Sequence, residues 1–338
     1  MIQDLIINID PPAIPGLRFR LFASEADLEP NVVLNNICSR ADGADWVDTL
    51  SAAQHWLAEA DDMSNPYRDM LFAEVRGQMV ARGITGWFTD DDGNWIYWLD
   101  CVVHPEWRGK GIGGALLNWL EQHAKELAAT HNSAGKSKFF QSRVDDHIAA
   151  NVNLLQRAGY KPVRYGFLLK RSLGMAIPDI ALPTHFEVRP AKPDHYRAIF
   201  DAELEVLQED GSHHQQTDED YRQWQMDTWF QPELFRVAWD TQKNEVAATA
   251  LSYINHEQNK TLNRKRGYTQ SICVRRPYRQ TKIAEALLAM SLHLHKSLGM
   301  DEVALGIDTK TPNGELQLYQ SMGFAVEKQG TTYRKEMV

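Results

Sequence analysis

Val102-Val103-His104-Pro105-Glu106-Trp107-Arg108-Gly109-Lys110-Gly111-Ile112-Gly113-Gly114-Ala115-Leu116-Leu117 is the stretch that decides the fold. The apolar run from Trp95 to Val103 leads into it and predicts a strand. Behind it Ile112, Leu116, Leu117, Leu120 and Ala124 recur at helical spacing, so a helix follows at once. Glycines at such a junction let the backbone approach a ligand closely. The first N–H groups of the helix carry partial positive charge, and Arg108 and Lys110 add two cations. The turn therefore has the chemistry of a phosphate site. A phosphate loop of the nucleotidase kind would end in Gly-Lys-Ser/Thr, which is absent. The spacing of Gly109, Gly111 and Gly113 also differs from the dinucleotide G-x-G-x-x-G. An ordinary strand–turn–helix connection is the alternative that the glycines alone leave open.

Outward from this turn the chain is that of a soluble globular protein. It has 338 residues, enough for about two domains, with 43% hydrophobic and 24% charged residues. A net charge of -9 with no basic tail or stripe argues against a nucleic-acid binder and suits an amine substrate. Cys38, Cys101 and Cys273 make no CxxC pair and no metal-ligand spacing, so no metal is expected. Met1 to Pro15 lacks the features of a signal peptide, and no window reaches the apolar length of a membrane helix. A reducing cytoplasm, no membrane partner, and a monomer or homodimer are the expectations.

Taken in order, strands are predicted at 17–22, 70–76, 79–88, 95–103, 138–144 and 162–170, with helices at 27–40, 51–59, 113–130 and 146–158. Asp90-Asp91-Asp92-Gly93-Asn94 is a hairpin turn and Gly159 a helix cap. After a linker the series restarts, with strands at 186–190, 234–239, 246–255, 268–274 and 303–307 and helices at 195–208, 283–298 and 313–322. Arg20 pairs with Arg189, Val103 with Val274 and Gly159 with Gly323, a duplication too long for a solenoid. The boundaries expected are 1–172 for the first domain, 173–184 for the linker and 185–338 for the second.

Arg108-x-x-Gly111-x-Gly113, after Val-Val-His-Pro and before Ala-Leu-Leu, resembles the acetyl-CoA loop of the GNAT family, the GCN5-related N-acetyltransferases. In the second half, Asn313 followed by Tyr319, Gly323 and Phe324 resembles that family's last helix. The resemblance runs from about Gly16 to Met337, as two GNAT domains in tandem, an arrangement similar to that of mycothiol synthase-like enzymes. It implies an α/β (α+β) fold in which each domain has a mixed, mostly antiparallel sheet flanked by helices. It implies acetyl-CoA as co-substrate and a small-molecule or peptide amine as acceptor. Another acyl-CoA, or a regulatory module that binds coenzyme A without turnover, are the alternatives. The loop and the strand before it would bind the coenzyme through Cys101, Val102, Val103, Arg108, Gly109, Lys110, Gly111, Ile112, Gly113 and Gly114. Asn153, or Asn151, would take the place of the family's helix asparagine.

The two halves keep different parts of that pattern. The second loop, Arg279-Gln280-Thr281-Lys282-Ile283-Ala284-Glu285, has Lys282 where the first has Gly111. A side chain there is expected to crowd a phosphate and to resist positive φ, so the second site reads as degenerate. Tyr319 stands where the family's proton donor would be, and Leu155 stands there in the first half. Asp100, Glu106 and Tyr97 are the candidate catalytic groups of the first half. Asp100 is also read as a strand-end carboxylate bonded to a turn, and Glu106 as a solvated loop residue. Trp87, Trp95 and Trp98 are expected to pack, and His213-His214 to lie in a polar loop.

Overall fold

A computed structural model describes residues 9–43, 47–90, 92–132, 135–209, 217–227, 229–309 and 316–337. The chain divides into two compact units, Met1–Arg164 with Gly330–Val338, and Tyr165–Gln329. Among the described residues no helix is long and apolar enough to cross a membrane.

The first unit is built on β1 (Leu17–Leu21), β2 (Met70–Val75), β3 (Gln78–Thr89), β4 (Trp95–Val103) and β5 (Lys138–Asp145), with residues 330–336 of β12 (Ala325–Glu336). The strands lie in the order β1-β2-β3-β4-β5-β12. Every neighbouring pair is antiparallel except β4 with β5. Strand alternation then fixes what covers each face. Tyr97, Leu99 and Cys101 pack with Leu117, Leu120 and Ala124 of α4 (Ile112–Thr130) and Leu155 of α5 (Ala149–Arg157). Trp98 and Val102 point the other way, onto Leu34 and Cys38 of α1 (Leu28–Ala41). Next come α2 (Leu50–Ala58) and the single turn α3 (Pro66–Asp69), capped by the Asn65 side chain. The fully buried Asp69 takes a hydrogen bond from His123 of α4 at 2.8 Å and pairs with Arg68.

The second unit repeats the plan with β7 (Phe186–Arg189), β8 (Arg236–Asp240), β9 (Glu245–Tyr253), β10 (Arg266–Val274) and β11 (Glu302–Thr309), joined by residues 165–172 of β6 (Lys161–Ser172). Its helices are α6 (Tyr196–Glu209), α7 (Asp218–Met226), α8 (His256–Thr261), α9 (Ile283–Ser297) and α10 (Leu316–Ser321). A bulge at Gln270 shifts the β9–β10 register between Thr269 and Ser271. Asn313 and His213-His214 lie outside the described residues.

The expected strands and helices are present, with α3 and α8 besides, but the domain boundaries 1–172 and 185–338 are not where the compact units divide. From Tyr165 onward β6 runs antiparallel to β11, Tyr165 opposite Thr309 and Ser172 opposite Glu302. Arg171 is fully buried there, donating to the carbonyls of Met322 and Ala176. The last strand of the first unit comes instead from the end of the chain. Tyr333 sits opposite Ser142 and is buried beside Phe140, and Lys335 bonds Glu121. Each unit thus takes its sixth strand from the other half of the sequence. The linker 173–184 lies inside the second unit and carries no helix or strand.

Candidate functional site

The turn after β4 has the shape its glycines predict. Gly109 and Gly111 sit at φ 72° and 89°, and Gly111 is the residue from which α4 starts. A β-carbon on Gly111 would stand 3.2 Å from Pro12 Cβ, so both backbone twist and space favour glycine. The N–H groups of Ile112, Gly113 and Gly114 open the helix and have no intrahelical acceptor. Lys110 lies exposed with its ammonium 4.5 Å from the centre of the Trp107 ring.

Arg108 does not point where the sequence suggests. Its Nε donates to the carbonyl of Val103 at 2.9 Å, and its two terminal nitrogens grip both oxygens of Asp42 at 2.6 and 2.8 Å. The guanidinium therefore braces the loop against its own strand and against the end of α1. The Asp42 carbonyl accepts from His147 Nε2 at 2.7 Å, so the same residue ties in the β5–α5 connection.

Before the loop the sheet comes apart. β4 and β5 pair only from Trp95 opposite Lys138 to Trp98 opposite Gln141. Past that point the groups of Leu99–Val103 that face β5 have no strand to bond, which, the Val103 carbonyl held by Arg108 apart, leaves backbone donors and acceptors for a ligand. A cavity of about 270 Å³ fills the gap. Its two faces differ, because alternation continues on both strands. On the α1 face lie Ser39, Asp42, Asp100 and Arg143. On the α4/α5 face lie Leu99, Leu117, Leu154 and Leu155, with Ser142 among them.

The candidate groups separate accordingly. Asp100 lines the cavity with its side chain 49% exposed, and one of its oxygens accepts from Arg82 at 2.7 Å. Arg82 is itself buried and also donates to Asn35, which bonds Asp48. Tyr97 is fully buried; its hydroxyl meets His131 Nδ1 at 2.7 Å, outside the cavity, and burial pushes it up to about 12. Glu106 is exposed in the turn, its N–H capped by His104, and does not line the cavity. On α5 the cavity face carries Ile148, Asn151, Leu154 and Leu155, so Asn153, two residues out of phase, is exposed and Asn151 takes the inner place. Cys101 and Val102 line the cavity, while Val103 serves as the acceptor for Arg108. Burial pushes the Cys101 thiol up to about 12, which makes it a poor nucleophile. Trp95 stacks on His131 and Trp87 meets the same ring at a tilt, so both pack as expected. Asp42, Arg82 and Ser142 are site residues that motif reasoning missed. The one signal for Ser142 is a hydroxyl in the apolar phase of Phe140-x-Ser142-x-Val144.

The second unit carries the same frame with other residues. Lys282 and Gln280 hold the positive φ of Gly111 and Gly109, at 60° and 64°, so side chains do not prevent the turn. Arg279 Nε again bonds the strand-end carbonyl, that of Val274, at 3.2 Å. β10 pairs with β11 only from Arg266 to Tyr268, so this sheet also splays. Where the first unit has Asn35, Arg82 and Asp100, the second has Glu203, Thr249 and Ser271. Both hydroxyls donate to the Glu203 carboxyl, which burial raises against those bonds. Among the described residues no group of three His, Cys, Asp or Glu side chains is placed to hold a metal.

The acetyltransferase (GNAT) family matches residues 34–157 and again 197–324. A mycothiol acetyltransferase of Thermobispora bispora is 27% identical over 243 residues, covering 70% of this chain and 75% of that protein. In fold, the chain is similar to a GCN5-related N-acetyltransferase from Sphaerobacter thermophilus, with TM-score 0.75, 22% identity and 96% of each chain covered. It is also similar to a tandem GNAT protein from the clavulanic acid biosynthesis pathway, with TM-score 0.65, 15% identity, and 95% of this chain and 98% of that one covered.

Proposed function

We propose a function from one premise: this chain belongs to the acetyltransferase (GNAT) family. The first unit takes acetyl-CoA and transfers its acetyl group to the amine of a small molecule or peptide. One observation carries this reading, the cavity in the β4–β5 splay on the same strand that ends in the glycine turn. The diphosphate would lie at the N–H groups of Ile112, Gly113 and Gly114. The pantetheine arm would run back along Leu99–Val103, about 16 Å of strand. That places the thioester where β4 and β5 part, between the two faces of the cavity.

The acceptor amine approaches from the polar α1 face. Its nitrogen must be neutral to attack, and the Asp100 oxygen not held by Arg82 is placed to receive its proton. The nitrogen forms a bond to the thioester carbon, and the oxyanion meets a backbone N–H of β4. Collapse breaks the C–S bond, and the electron pair leaves with sulfur. A thiol release assay with acetyl-CoA and a panel of amines tests the reading. Asp100→Asn is expected to lower kcat/KM by about a hundredfold; an unchanged value removes Asp100 from the chemistry. Leu155, apolar where a donor would help the leaving thiolate, favours a second reading in which the chain binds coenzyme A without turnover. Coenzyme binding with no thiol release for any amine would select it.

A further inference from the structure

We propose that Ser142 is a catalytic residue of the first unit, donating a hydrogen bond to the sulfur as the thiolate departs. This rests on the transfer reaction proposed above. A thiolate forming against Leu99, Leu117, Leu154 and Leu155 would gain charge in an apolar wall, which is costly without a donor. Ser142 is the hydroxyl on that wall. Phe140 stands opposite Tyr97 on the paired part of the ladder, so Ser142 continues toward Leu99 on the same face, at the first step beyond the last paired residues. Among the described residues its hydroxyl is bonded to no other group. Asn151, the other uncharged polar side chain near this wall, enters one helical turn before Leu155 and away from the parting of the strands.

The duplicated unit supplies an independent argument. There Val303 stands opposite Gly267, and the same face continues through Leu305 and Ile307 against α9 and α10. Leu305 thus occupies the Ser142 position, and Tyr319, on the helix, the Leu155 position. Each unit has one hydroxyl and one leucine across this gap, with the places reversed. A hydroxyl on the strand makes one on the helix unnecessary. When the C–S bond breaks, the sulfur keeps the pair, the Ser142 Oγ–H bonds to it, and the proton that completes the thiol comes from water.

Thiol release from acetyl-CoA with hydroxylamine as acceptor, alongside calorimetric titration of coenzyme A, tests this. Ser142→Ala is expected to lower kcat at least tenfold while KM for acetyl-CoA and coenzyme affinity stay within twofold. Ser142→Ala with Leu155→Tyr, which moves the hydroxyl to the helix, is expected to recover most of the loss. Wild-type kcat in Ser142→Ala, with coenzyme still bound, overturns the proposal and leaves the transfer reaction standing. Failure of the double variant to recover, when it folds and binds coenzyme, also overturns it. A wild-type chain that binds no coenzyme, or binds it and releases no thiol above the uncatalysed rate, overturns the transfer reaction and Ser142 with it.

Discussion

The two glycine-loop positions, Gly111 and Lys282, teach what a sequence motif does and does not control. Both residues open the long helix of their unit, both hold positive φ, and both follow an arginine bonded to its strand-end carbonyl. The loop shape therefore survives loss of glycine. What differs is the surface offered to a ligand. In the first unit no side chain stands on Gly109 or Gly111, and the cavity lies behind them in the opened sheet. In the second, Gln280 and Lys282 carry side chains over the same backbone, and Glu285 adds negative charge to the first helical turn. The two loops differ in crowding and charge, not in backbone shape.

Acid is expected to separate the units most strongly. His295 of α9 is fully buried, neither ring nitrogen meets a hydrogen-bond partner, and burial lowers it from 6.5 to about 4. Between those pH values the unfolded chain binds a proton that folded His295 does not. The contribution of His295 to the second unit is then complete above pH 6.5 and falls as pH drops toward 4, by about 3 kcal/mol. The first unit answers at lower pH. Burial alone would raise Asp69, but hydrogen bonds from His123, Arg68 and the Asn65 N–H hold it below the usual carboxylate range. Its contribution is present above the unfolded carboxylate value and is lost as pH falls through the depressed one. Hydrogen exchange at pH 4.5 and pH 7 should show the second unit loosening first, and His295→Leu should flatten the difference. Equal loss in both units would remove this distinction.

Exchanging the loop residues sharpens the comparison next. Gly111→Lys brings a side chain against Pro12 and onto the phosphate face, and should weaken coenzyme binding about a hundredfold. Lys282→Gly should relieve left-handed strain and add roughly 0.5–1 kcal/mol of stability without creating a second site. Binding at the second unit after that single change would mean that crowding by Lys282 alone had closed it.

The arginines correct an expectation. The loop motif places Arg108 on a diphosphate. In the structure both hold a strand-end carbonyl, and Arg108 adds a charge-assisted pair with Asp42. Arg108→Ala should therefore lower stability by about 1.5–3 kcal/mol, and Arg279→Ala by about 1 kcal/mol or less. A fall in coenzyme affinity for Arg108→Ala with unchanged stability would restore direct contact.

The central strand, the glycine turn, the long helix and the duplication were legible because each depends on local periodicity and backbone twist. The exchange of β6 and β12 was not, since nothing in Pro162-Val163-Arg164-Tyr165 states which sheet its strand will join. Tyr97 misled for a similar reason. Alternation puts it in phase with Leu99 and Cys101, but only the splay decides where that face turns from core to cavity, and it does so after Trp98. Asp42 and Arg82 were invisible because their roles are made by long-range ion pairs, to Arg108 and Asp100. Between Asn151 and Asn153 the sequence left the choice open, because only the packing of α5 puts Asn151 on the cavity face and Asn153 outside it.

Calorimetric titration of the whole chain with acetyl-CoA tests the division between the units most directly. One site per chain is expected, abolished by Gly111→Lys and untouched by Lys282→Glu. Two equivalent sites, or one site that survives Gly111→Lys, would contradict it.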